Sequence, residues 1–178
     1  MTNVLFTPAR IGPVEIKNRV VMPPMTTRTS DAEGYITDDS VAYYMARVHG
    51  GVGLITVEMA SPEKCGRHRR HEVGIYDDRF VPGLTRLVGE IHRGGAKASI
   101  QLGHGGGHTR IDICGEMPIA PSAIPHPVYE TTFEIIIPEE MSKARIAQTI
   151  AAHAAAAKRA QSAGFDCVEV HAAHGYLI

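Results

Sequence analysis

Apolar positions fall in two alternating patterns along the chain. Short runs rich in β-branched residues stand at Arg19–Met22 (RVVM), Val52–Met59 (VGLITVEM), Lys97–Leu102 (KASIQL) and Cys167–Val170 (CVEV). Runs with so little room for a solvated face predict strands buried on both sides. Between them the apolar spacing widens to a helical period. Val41, Met45 and Val48 predict a short helix, with Thr37 and Asp38 as candidate caps and Gly50-Gly51 as its stop. Phe80, Leu84, Leu87, Val88 and Ile91 predict a second helix ending at Gly94-Gly95, with Pro82 in its first turn, where the missing N–H costs little. A third helix is predicted from Ser142 through Ile146, Ile150, Ala154 and Ala157 to Gly164, its alanine-rich middle favouring helix and close approach to a neighbour.

In all three cases a helix stops at glycine and a buried strand follows within a few residues. Strand, helix, strand in repetition implies parallel strands joined by right-handed crossovers, an α/β architecture. Residues 1–18 are expected to cap this core, with a small hairpin between Leu5 and Ile16 around Ile11-Gly12-Pro13-Val14. The segment Gly105–Glu140 is rich in Gly, Pro and His, too long for a plain connection, and is expected to carry function. No GxGxxG opens a helix after the first strand, which disfavours the open dinucleotide-binding sheet. Polar or ligand-type residues instead follow every strand, as in a (β/α)8 barrel. Four strands use all 178 residues. At roughly 45 residues per unit, eight would need about 350, so the chain reads as the first four units of a single barrel domain.

Net charge is −1, which gives no reason to expect nucleic acid or an anionic membrane as partner. Cys65, Cys114 and Cys167 are scattered and odd in number, unlike a disulfide framework or a CxxC site, and suit a reducing cytoplasm. No secretory signal is evident at the N-terminus, and no apolar stretch approaches the roughly 20 residues of a membrane span.

Candidate chemistry gathers where the predicted strands end. His171-Ala172-Ala173-His174-Gly175-Tyr176 places two imidazoles and a phenol together; imidazoles can donate to an oxyanion and a phenol can deliver a proton to carbon. Gln101 offers an amide suited to the edge of a planar heterocycle, and the glycines from Gly103 to Gly107 would let a ligand approach the backbone. Pro24, Met25 and Thr26 supply a rigid bend, a thioether and a hydroxyl, and Ala60 a small surface for a flat ring. His104, His108, His171 and His174 are candidate zinc ligands of the barrel-hydrolase kind, but the first strand lacks a His-x-His, and no metal is expected. The cluster Arg67-His68-Arg69-Arg70-His71 reads as a solvated loop with phosphate binding as its alternative.

Taken together, LFTPARIGPVEIKNRVVMPPMT, GIYDDRFVPGLTRLVGEIHRGGAKASIQLGH, PIAPSAIP and AGFDCVEVHAAHGYLI resemble the old yellow enzyme family of FMN-dependent ene-reductases and NADH:flavin oxidoreductases. The resemblance covers the whole chain. It implies FMN over the C-terminal mouth of the barrel, its ring held by Pro24, Met25, Thr26, Ala60 and Gln101. His171 and His174 would bind the substrate carbonyl or nitro oxygen, and Tyr176 would donate the proton. NADH or NADPH would reduce the flavin, and an electron-poor alkene would oxidise it. Two departures stand out. Where the family often carries arginine after the histidine of its third strand, this sequence reads His104-Gly105-Gly106-Gly107, leaving Arg110 as the nearest substitute. Thr26 stands where relatives can carry cysteine, which would shift the flavin potential. The family's remaining flavin contacts, including the phosphate site, are expected beyond the fourth strand. The alternative reading is a non-catalytic half barrel that binds no flavin and self-associates through its open sheet edges.

Overall fold

Two of the four predicted core strands form with the predicted bounds in the computed structural model, which describes residues 3–127 and 135–178. The elements that position the site are β1 (Ala9–Ile11), β2 (Val14–Ile16), β3 (Val21–Met22), α1 (Asp38–His49), β4 (Leu54–Ala60), α2 (Val81–Arg93) and β5 (Lys97–Leu102). They continue with α3 (Ile111–Cys114), β6 (Ile119–Ala120), β7 (Glu139–Glu140), α4 (Lys143–Ala163) and β8 (Cys167–Val170). Strands β3, β4, β5 and β8 pair in that order, all parallel. β1 and β2 make the predicted antiparallel hairpin, with Ile11 opposite Val14 across Gly12-Pro13.

The other two strands shift for local reasons. Val20 N–H bonds the Asn18 side chain (3.1 Å), so it leaves the ladder and β3 starts at Val21. Val52 N–H is still tied to the end of α1 through Arg47 O, so β4 starts at Leu54. Every residue of β4 is buried. Val168 and Val170 of β8 are instead 43% and 57% exposed, correcting the expectation of burial on both faces: β8 is the last strand of the described sheet.

All three long helices pack on the same apolar side of the sheet. Tyr44 and Val48 of α1, Leu84, Leu87, Val88 and Ile91 of α2, and Ala156, Ala160 and Ala163 of α4 join Ile55, Val57, Ala98, Ile100 and Leu102 in one core. Alternation along the strands turns Thr56, Glu58, Ser99 and Gln101 to the opposite side, and these polar side chains are also buried. Thr37 caps α1 through a reciprocal box with Ser40, with Asp38 in the first turn, and Ser142 caps α4 by accepting from Arg145 N–H (3.1 Å).

Of the residues predicted to mark the face of α4, only Ala157 packs against the core. The buried stripe of the helix is Thr149, Ala156, Ala160 and Ala163, whereas Ile146 and Ile150 are 43% and 65% exposed and Ala154 is exposed. Small residues let α4 lie close on α2, and the isoleucines turn to an apolar groove of 380 Å³ shared with Met141, Val170, Leu177 and Ile178. Among the described residues no helix is long and apolar enough to cross a membrane.

Candidate active site

Pro24, Met25 and Thr26 follow β3 on a loop that is anchored from below. Thr27 donates from its backbone N–H to Glu58 Oε2 (3.1 Å) and from its hydroxyl to Glu58 Oε1. Glu58 is 2% exposed, and burial raises its pKa. Its own N–H donates to Tyr44 Oη (3.0 Å), tying the strand end to α1. So fixed, the loop presents Met25 (51% exposed) and Thr26 to the surface. An exposed thioether beside a hydroxyl suits the edge and face of a planar ligand.

Gln101 sits opposite an irregularity in β4. The register shifts between Val57 and Ala60, so Glu58 and Met59 together face Gln101 alone, a bulge of the kind that re-aims side chains at barrel rims. Gln101 Nε2 donates to Glu169 Oε1 on β8 (2.6 Å), which fixes which end of the amide is its acceptor. Ala60 lies at the end of β4 but is fully buried, and its carbonyl accepts from Gly103 N–H (3.2 Å). It shares the strand-end layer with Gln101 and presents no free surface there.

His171, His174 and Tyr176 converge after β8. Ring centroids are 5.2 Å apart for the histidine pair, 5.0 Å for His171–Tyr176 and 6.3 Å for His174–Tyr176. Burial, then the neighbouring His174, lowers the pKa of His171, which favours a neutral ring able to donate one hydrogen bond. Tyr176 Oη lies 2.9 Å from His68 Nε2. His68 Nδ1 is in turn 2.9 Å from Glu72 Oε2, off the line of a hydrogen bond, while the N–H groups of His68 and Arg69 both donate to that oxygen.

The sequence reading missed this His68–Glu72 support, having placed His68 in a solvated basic loop. In fact Arg67 and His68 are 7% and 8% exposed, and Arg67 donates to Ala32 O (2.9 Å). An acid four residues after His68 was the available signal.

Gly105 and Gly106 of the glycine run serve packing between loops. A Cβ on Gly105 would stand 2.7 Å from His68 Cβ, and one on Gly106 would stand 2.9 Å from the backbone of Leu177. Gly106 also has φ +57°. Gly105 and Gly106 therefore let the β5 loop interlock with the loops carrying His68 and Tyr176, while Gly107 lines a cavity with His174 and Tyr176.

Among the described residues the four candidate zinc-ligand histidines do not bring three donor atoms together; the one such group is Glu63, Cys65 and His104. His104 Nδ1 accepts from Gly106 N–H (3.0 Å), so its proton sits on Nε2, which faces Cys65 Sγ (3.5 Å) and Glu63 Oε2 (3.7 Å). Arg145 already donates to Cys65 Sγ (3.3 Å) and lies 2.9 Å from Glu63 Oε1. Burial raises the Cys65 pKa to about 11. A protonated Nε2, a thiol and a resident guanidinium make this a polar network closed on itself.

Parallel strands flanked by helices, with the candidate polar groups at their C-terminal ends, define a partial β/α barrel of the enzyme type. The chain belongs to the NADH:flavin oxidoreductase / NADH oxidase family, whose model matches residues 4–178. It is 43% identical over 179 residues to an NADPH dehydrogenase of Geobacillus thermodenitrificans, covering 100% of this chain and 50% of that protein. Among solved structures it is similar to the old yellow enzyme homologue from Zymomonas mobilis, with TM-score 0.89 and 29% identity over 98% of this chain and 50% of that one. It is also similar to morphinone reductase in complex with tetrahydroNAD, with TM-score 0.85 and 29% identity over 99% of this chain and 51% of that one. The chain thus spans about half the length of these relatives, and its strands are four of the eight of a (β/α)8 barrel.

Proposed function

We propose that this chain is the flavin-ring and substrate-activating half of an FMN-dependent NAD(P)H oxidoreductase that reduces the C=C bond of α,β-unsaturated carbonyl compounds. The observation that carries the reading is the convergence of His171, His174 and Tyr176 after β8, beside Gln101 on the adjacent β5 and at the same end of the sheet as the β3 loop that presents Met25 and Thr26, with β4 and β5 between β8 and β3. The donor set fits a flavin ring: the Gln101 amide for its pyrimidine edge, the Thr26 hydroxyl for a ring oxygen, and Pro24 and Met25 for an apolar face. The names NADPH dehydrogenase and morphinone reductase with tetrahydroNAD support a nicotinamide reductant.

The bound flavin, reduced by NADH or NADPH, supplies the hydride for the β-carbon. His171 and His174 hydrogen-bond the substrate oxygen and stabilise the enolate-like charge that grows there. Tyr176 gives its proton to the α-carbon, and the 2.9 Å contact to His68 Nε2 holds the phenol in place and offers a route for its reprotonation. Free thiols at all three cysteines support a reducing, cytoplasmic setting.

Tyr176→Phe tests the assignment. Oxidation of the reduced flavin by an enone should slow about 100-fold or more, the usual worth of a placed proton donor, with little change in flavin reduction by nicotinamide. Equal slowing of both half-reactions would sink it. A second reading, a self-associating half barrel without flavin, draws on the apolar groove along Ile146, Ile150 and Val170. Size-exclusion elution as a multimer with no flavin content would favour it.

A further inference from the structure

The strands on either side of Gln101 each bring a carboxylate toward its level, and the two are held differently. Glu58, in the β4 bulge, is buried, and Thr27 occupies both of its oxygens. Glu169 of β8 stands directly opposite Gln101 in the parallel ladder and is exposed. Among the described residues its side chain makes one hydrogen bond, accepting from Gln101 Nε2 at 2.6 Å, and no lysine or arginine pairs with it. A carboxylate only accepts and an amide nitrogen only donates, so this pairing forces the orientation of the Gln101 side chain. The bond is short, as charge-assisted bonds are. It uses one N–H of the amide and leaves the carbonyl oxygen and the second N–H, an acceptor and a donor side by side. The pyrimidine edge of a flavin, an N–H flanked by carbonyl oxygens, is the complement of that pair.

The charge of Glu169 also reaches the substrate side. Burial and then His174 lower the pKa of His171, and the Glu169 carboxylate opposes them from two positions earlier in the chain. One side chain thus acts on the amide assigned to the cofactor and on an imidazole assigned to the substrate oxygen. Hydride transfer to a flavin ring adds one negative charge to it. A fixed carboxylate one hydrogen bond behind the pyrimidine edge therefore disfavours the reduced ring more than the oxidised one, and nearby charge is a means by which a protein sets a cofactor's electronics.

We propose that Glu169 is a positioning residue for the flavin, orienting the Gln101 amide toward the pyrimidine edge and lowering the reduction potential of the bound ring through its charge. The inference rests on the oxidoreductase reading above. A lower potential makes the reduced ring a stronger hydride donor, so the same carboxylate serves the binding of the oxidised ring and the reactivity of the reduced one.

Anaerobic titration of oxidised and of dithionite-reduced FMN into the flavin-stripped full chain, with the midpoint potential of the loaded protein, tests it. Glu169→Gln removes the charge and keeps the size at an exposed position; Glu169→Asp keeps the charge but withdraws it from Gln101 by one methylene. In Glu169→Gln the ratio of the oxidised to the reduced dissociation constant should rise about tenfold, a potential raised by ~30 mV for a two-electron couple. In Glu169→Asp oxidised FMN should bind about fivefold more weakly, the worth of one hydrogen bond, with a potential closer to that of the parent than to that of Glu169→Gln. An unmoved or lowered potential in Glu169→Gln overturns the proposal whatever happens to affinity, and so does unchanged affinity in Glu169→Asp. A parent that binds no FMN refutes the oxidoreductase reading and the proposal together. The expected shifts in a protein that reduces no enone would keep the role of Glu169 and refute only the ene-reductase reading.

Discussion

His104 shows how a single buried residue ties this site to pH. Burial, followed by the charges of His153 and Arg145, lowers its pKa from 6.5 to about 3, so it stays neutral in the fold while its unfolded counterpart protonates below neutrality. The stability it contributes is complete above pH 6.5 and is lost as pH falls toward 3, at about 1.4 kcal/mol per pH unit. Denaturant unfolding at several pH values between 7 and 5 should show that slope, reduced in His104→Gln. Equal slopes in the two proteins would contradict the buried neutral state. At this scale the sequence was legible where chemistry is contiguous: His171, His174 and Tyr176 are neighbours in the chain and neighbours in space. It was opaque where partners are distant. Thr27 meets Glu58 across 31 positions and Tyr176 meets His68 across 108, and no local pattern encodes either contact.

Elements were predicted well where periodicity and stop signals agree, as in β5, β8 and α2 with its leucine stripe and terminal glycines. For α4 the alanine-rich middle does approach its neighbour closely as expected, but Ile146 and Ile150 fall outside the core because the tight contact with α2 selects alanine. The packing of Gly105 and Gly106 was hidden in the sequence, which shows conformational freedom but not what occupies the space a Cβ would need. Gly106→Ala should therefore cost about 1–3 kcal/mol, combining left-handed strain with displacement of the Leu177 backbone. Gly115 has φ +78° with nothing near its Cβ position, so Gly115→Ala reports the strain alone. Denaturant unfolding should place Gly106→Ala below Gly115→Ala; equal losses would show that the close approach to the Tyr176 loop carries no energy.

At the scale of the molecule, four parallel strands and three long helices build one side of a barrel mouth, with catalytic candidates along its rim. Ile146, Ile150, Val170 and Ile178 remain about half exposed beside β8, and covering the remainder of each would contribute roughly 1 kcal/mol. That apolar edge is where a barrel adds its next β/α unit. The barrel class was legible in the alternation of elements, and its completeness was judged from length alone. The most direct test of the account is titration of FMN into the flavin-stripped full chain and its Gln101→Ala variant, followed by visible absorption. The account predicts a shifted flavin band with saturable binding in the parent and about tenfold weaker binding, or ~1.4 kcal/mol, in the variant. A parent that leaves the spectrum of free FMN unchanged would contradict it.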